Sequence, residues 1–128
     1  MLLDISRAAL DAILAEAAAS PGVEVCGLLL GEGLRVDEVR SCRNVADVPA
    51  SRFEIDPQAL IAAHKAAREG GPAVIGHYHS HPNGKTEPSA RDAAAARRGE
   101  VWMIVAQGDV KAWLAVDDQG FERLQIHP

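Results

Sequence analysis

Residues 73–99 read AVIGHYHSHPNGKTEPSARDAAAARRG, and this stretch limits the fold more than any other. AVIGHYH has the apolar character of a strand. PNGKTEP carries two prolines and one glycine within seven residues and is excluded from regular structure. SARDAAAARRG then reads as a helix with Ser89 as its N-cap. A strand, a stiff break and a helix thus follow one another closely, and three of the chain's five histidines stand at the strand's end.

The flanking segments agree with a mixed fold. ISRAALDAILAEAAA repeats Ile5, Leu10, Ile13 and Leu14 at helical spacing, and SPG closes it, which predicts a helix over about 6–19. EVCGLLLG is a short apolar run suited to a buried strand. LRVDEVRSCRNVA is expected to pair with it across a GEG turn. In SRFEIDPQALIAAHKAAREGG a short strand precedes a helix. Asp56 is the expected cap, Pro57 the first helical residue, and Gly70-Gly71 the stop. VWMIVAQ, DVKAWLAVD and FERLQIHP read as three closing strands joined by GD and DQG turns. The expectation is one α/β (mixed α+β) domain over 1–128, with helices packed on a mainly antiparallel sheet.

Composition limits the function. The 128 residues are about one domain's worth, and 48% of them are apolar. A net charge of −5 speaks against nucleic acid as a partner. Arg91, Arg97 and Arg98 lie among acidic neighbours and read as a solvated helix face. Cys26 and Cys42 have no CxxC partner and are expected to be small buried side chains. MLLDISRAAL lacks the basic start of a secretory signal, and no run reaches the ~18 apolar residues of a membrane span. No membrane contact is expected, and the cytoplasm is the expected compartment.

On a strand, residues i and i+2 face one side, ~7 Å apart at the backbone. His79 and His81 can therefore converge on one ion, each nitrogen ~2.0–2.1 Å from it. A catalytic zinc wants three protein ligands and one open place. Asp92, in the first turn of the helix after the stiff loop, can be aimed back as the third. Taken singly, Asp92 also reads as a helix-dipole partner, Ser89 as a cap and Glu24 as a charge at a strand start.

Taken together, Glu24, then His79-Ser80-His81-Pro82, six residues, Ser89, two residues and Asp92 resemble the JAMM motif of the MPN+ metalloprotease family. That motif is H-[ST]-H-P-x6-S-x2-D with an upstream glutamate. The resemblance spans Glu24 to Asp92. It implies a cytidine-deaminase-like MPN/JAMM domain holding one Zn²⁺ on His79, His81 and Asp92. It also implies Glu24 as general base and Ser89 as donor to the developing oxyanion. Glu87 is the alternative base. His77 stands where family members often carry tryptophan and is expected to line the groove. His64 and His127 have no partner spacing and read as surface residues.

The family cleaves peptide or isopeptide bonds at the diglycine tail of ubiquitin-like proteins. Only eight residues separate Asp92 from Val101, so the insertion that longer members carry there is missing. The chain resembles the compact prokaryotic branch, whose members include a peptidase acting on a sulfur carrier. The expected partner is a ubiquitin-like or sulfur-carrier protein with a Gly-Gly tail, lying along an exposed strand edge. A cell-wall or phage-tail type of peptidase, a metal-dependent hydrolase of nucleic acid or small amides, and a non-catalytic MPN scaffold are the alternatives. The oligomeric state is open, a homodimer among the options.

Overall fold

The computed structural model describes residues 1–117 and 120–128. The expected DQG turn includes Asp118 and Gln119 and lies outside the described residues. The elements are β1 (Leu2–Ile5), α1 (Arg7–Ala19), β2 (Cys26–Glu32), β3 (Arg35–Cys42), α2 (Pro57–Arg68), β4 (Ala73–Ser80), α3 (Ala90–Ala95), β5 (Val101–Ala106), β6 (Asp109–Ala115) and β7 (Phe121–His127). None of the described helices is long and apolar enough to cross a membrane.

Local chemistry sets most boundaries. The Ser6 hydroxyl accepts from the Ala9 N–H and starts α1, and the Asp56 carboxylate accepts from the Gln58 N–H and starts α2. The helix expected over about 6–19 is α1, and Ile5, which shares its spacing, lies before it in β1. Leu3 and Ile5 are the inward residues of β1, which pairs in parallel with β3 and with β7. Four residues are too few for a legible period, and only the two neighbouring strands make them a strand. The hairpin turn falls at Gly33-Leu34 rather than over 31–33, with Gly33 at φ 59.

The strand order β1-β3-β2-β4-β5-β6-β7 closes on itself. The β2–β3, β2–β4, β5–β6 and β6–β7 pairs are antiparallel, and β4–β5 joins the two β1 pairs as parallel. Antiparallel pairing dominates as expected. The parallel β4–β5 pair is possible because α3 carries the chain across between them.

The inner face gathers residues of all seven strands around Leu10 and Ile13 of α1. On the other face Leu28 and Leu30 pack with Ala63 of α2. Since Leu29 faces inward and its neighbours outward, β2 is apolar on both sides, which explains its unbroken apolar run. Gly76 lets β4 come close to β5, for a Cβ there would lie 1.8 Å from the Val101 carbonyl oxygen.

Candidate metal centre

β4 leaves the sheet as His77, Tyr78, His79, Ser80 and His81. Tyr78 turns inward to the core, while His77 and His79 face outward beneath Phe53 and Trp102. The loop 82–88 then turns the chain into α3. Ser89 caps that helix reciprocally: its hydroxyl accepts from the Asp92 N–H, and Asp92 Oδ2 accepts from the Ser89 N–H at 2.9 Å. This capping box aims the Asp92 carboxylate back at the strand end.

Three donor atoms meet there. His79 Nε2 and His81 Nε2 are 3.1 Å apart, and Asp92 Oδ2 lies 3.3 and 3.1 Å from them. A tetrahedron with arms of ~2.0 Å has edges of about 3.3 Å, so these separations match three corners around a zinc ion. All three side chains are buried. His81 Nδ1 donates to the Lys85 carbonyl at 2.8 Å, which leaves Nε2 as the lone pair facing the cluster. Burial pulls the His79 pKa down and keeps that ring neutral. Burial would raise Asp92, but the two imidazoles beside it and the Ser89 N–H outweigh that and hold the carboxylate well below its usual range. Burial would lower His81, but Asp92 and the Lys85 carbonyl outweigh it and raise its pKa, so a metal taking this ring in its neutral form competes with a proton there. A metal would be held by His79, His81 and Asp92.

Glu24 stands over this cluster. Its carboxylate oxygen and the two imidazole nitrogens lie within 4.8 Å of one another. Asp92 is nearer to both rings, so Glu24 is left as the outer carboxylate. Burial pushes its pKa up to about 7; His81 and Arg91 oppose this and Asp92 adds to it. Glu87 is elsewhere. Its carboxylate is exposed, accepts from Thr86, and pairs with Lys111 at 3.1 Å, which holds its pKa low.

A pocket of about 370 Å³ opens beside the cluster, lined by Glu24, Ser89, Asp92, His77, Phe53 and Trp102 among others. His77 lines it as expected. Its ring lies 4.2 Å from Trp102 and 5.2 Å from Phe53, centroid to centroid, and burial lowers its pKa to about 3. His64 is exposed on α2, and His127 is exposed and faces Asp4.

Three contributors were not visible in the sequence reading. Phe53 stacks on the His79 ring at 4.2 Å and 20°, fixing its plane. Phe53, Trp102 and Phe121, three of the chain's five aromatic residues, meet edge to face here with centroids 6.2 and 5.4 Å apart, and their distance along the chain left no sequence signal of it. Trp113 Nε1 donates to the Thr86 carbonyl, and Lys111 holds Glu87, so β6 anchors the loop that carries Lys85. The segment 52–56 lies extended beside 43–46. Glu54 O accepts from Val45 N–H, and Asp56 N–H donates to Arg43 O. By alternation, Phe53 and Ile55 turn their backbone groups to the opposite edge, away from 43–46.

A family model for prokaryotic homologs of the JAB domain matches residues 6–116. The desampylase of Pyrococcus furiosus is 36% identical over 109 residues, covering 84% of this chain and 77% of that protein. A probable TtuB-protein conjugate cleaving protease of Thermus thermophilus is 36% identical over 94 residues, covering 73% of this chain and 64% of its own. A solution structure of a Desulfitobacterium hafniense protein superposes with a TM-score of 0.82 at 26% identity, covering 98% of this chain and 92% of that one.

Proposed function

Because the chain belongs to the prokaryotic JAB-domain family, we propose that it is a zinc-dependent peptidase or isopeptidase cutting after the C-terminal Gly-Gly of a ubiquitin-like or sulfur-carrier protein. The observation that carries this reading is the spacing of His79 Nε2, His81 Nε2 and Asp92 Oδ2 at 3.1–3.3 Å with Glu24 over them. The relatives named above as a desampylase and a conjugate-cleaving protease support the substrate class.

A zinc ion on His79, His81 and Asp92 would supply an electrophile that acidifies water and polarises the scissile carbonyl. Glu24 takes the proton of the attacking water as that water's oxygen joins the carbonyl carbon. It returns the proton to the nitrogen as the C–N bond breaks, so the products are a carboxylate-ended carrier and a free amine. Burial raises this carboxyl, a bound Zn²⁺ would lower it, and its place over the cluster suits it to both transfers. The Ser89 hydroxyl already accepts the Asp92 N–H through a lone pair, and its own hydrogen is free to donate to the developing oxyanion.

The closed sheet offers the tail no free edge among its described strands. The outer edge of Phe53 and Ile55 does, and both residues line the pocket beside Glu24 and Ser89. An extended tail pairing there would bring its last carbonyl to the metal. Glycines are expected at its end, where its backbone passes closest to the chain.

The test incubates the zinc-loaded protein with a carrier linked through its Gly-Gly to an amino acid or a lysine, with linked diubiquitin, and with a cell-wall peptide. Masses report the cuts. Carrier cleavage that stops when either tail glycine becomes valine is expected. Rapid cutting of the cell-wall peptide with the carrier conjugates untouched would replace the substrate class.

A further inference from the structure

Asn44 lies just beyond β3, half-buried, and its carboxamide makes four hydrogen bonds. Nδ2 donates to the Glu24 carbonyl at 2.8 Å and to the Arg52 carbonyl at 3.0 Å. Oδ1 accepts from the Ala46 N–H at 3.0 Å and the Glu54 N–H at 3.1 Å. That uses both donors and both lone pairs of an amide, and the partners leave one orientation for it.

The four partners are not one local turn. Glu24 carries the carboxylate over the metal cluster. Arg52 and Glu54 flank Phe53, which stacks on His79 and belongs to the pocket edge. Among the described residues, Asn44 is thus the one side chain bonded to both the strand entry of Glu24 and the segment 52–54. The rest of the Glu24 entry is held similarly: its N–H donates to the Pro49 carbonyl at 2.7 Å, and Ser80 Oγ accepts from the Val25 N–H at 2.9 Å. Pro49 lies on the same 45–51 loop that Asn44 closes, so losing the carboxamide loosens two of the ties on Glu24.

We infer that Asn44 is a positioning residue that sets the placement of Glu24 and of the substrate-pairing segment 52–54 through a single amide. This rests on the reading of Glu24 as the base. It assigns Asn44 no contact with the metal or with the substrate.

Asn44→Asp is the direct test, because it keeps both acceptor bonds and removes both donors. Asn44→Ser, uncharged and too short to reach either carbonyl, serves where the aspartate is not tolerated. Zinc content should stay near one per chain, since none of His79, His81 and Asp92 bonds Asn44. Amide exchange at Glu24 should quicken at least about tenfold as the Pro49 tie loosens. With the carrier conjugate, kcat should fall about ten- to a hundredfold, as misplaced catalytic groups do, and KM should rise with it. In a Glu24→Gln background the kcat effect should largely vanish while the KM effect remains, since residues acting through one another are not additive. Unchanged Glu24 exchange, or kcat losses that multiply in the double variant, would overturn the inference. If the wild type cuts no conjugate, the functional reading fails, and the exchange measurement alone decides for or against Asn44.

Discussion

Glu24 and Cys26 stand two residues apart at the start of β2, both buried, with opposite uses for that burial. Glu24 sits over the cluster, where burial raises its pKa and where the proposed proton shuttle has to stand. Glu24→Gln keeps the shape and removes the base. Zinc measured by metal analysis should stay near wild type while turnover of the carrier conjugate drops a hundredfold or more, within the ~10²–10⁴ that general-base catalysis contributes. Cys26 has no such role. Burial, and then its cross-strand neighbour Cys42, push its pKa from 9.0 to about 12. Between those values the folded chain holds a proton that the unfolded chain releases, so this thiol's contribution to stability is lost as pH rises from 9 toward 12. Urea unfolding at pH 8.5 and 10.5 should show the decline, and Cys26→Ala should lessen it, the raised Cys42 thiol and Tyr78 hydroxyl supplying the remainder. A native thiol that alkylates as fast as an unfolded one would contradict the burial. At the loop, Trp113→Phe removes the bond to the Thr86 carbonyl and loosens the Lys85 carbonyl that orients His81. A chelator competition should then show zinc affinity weaker by up to about tenfold, the low end for outer ligand partners.

At the scale of elements, β4 carries His77 and His79, β5 sets Trp102 against them, and the closeness of the two strands depends on Gly76. A methyl group at that position would overlap the Val101 backbone, and backbone cannot turn aside as a side chain can. Gly76→Ala should cost about 3 kcal/mol or more, the upper part of the range for overpacking. Urea or thermal unfolding measures it, and a neutral result would refute the β4–β5 register. α3 was expected over SARDAAAARRG, but the structure ends it at Ala95. Its composition favours a longer helix. The Ala96 backbone leaves the helix at ψ 141, Gly99 takes φ 91, and Arg97 and Glu100 form a turn that leads the chain into β5. The need to enter the sheet at Val101 overrides the helix propensity of four alanines.

Across the whole molecule, the three converging donor atoms, the proposed metal ligands, come from β4 and its exit and from α3, joined by a loop that β6 anchors. Metal binding therefore ties together parts of the chain that folding must bring into register. Removing zinc with a chelator should lower the melting temperature, by an amount that grows with the logarithm of the zinc restored. His79→Ala and Asp92→Ala should abolish that dependence. A wild-type melting temperature indifferent to chelator and to added zinc would refute the metal centre. The closed sheet also bears on the proposed substrate's approach: its described strands leave no edge, and the proposed pairing edge is that of Phe53 and Ile55 beside the sheet.

The sequence by itself determined what is local. Ser6, Asp56 and Ser89 cap their own helices because a cap needs only the next three residues. The alternation of His79 and His81 puts both on one face because a strand has a fixed period. The spacing from His81 to Asp92 is legible because one loop and one helical turn span it. What only the tertiary structure decided depends on partners far along the chain. β1 is a strand because β3 and β7 flank it, and the sheet closes for the same reason. Phe53 reaches His79, Trp113 reaches Thr86, and Asn44 bonds Glu24 and Arg52, and no sequence period links these positions. The burial that brings Glu24 to about 7 is likewise a sum over packed neighbours. A hydrogen bond or a stacked ring acts over a few ångströms of space, whereas a sequence pattern reports only on residues close along the chain.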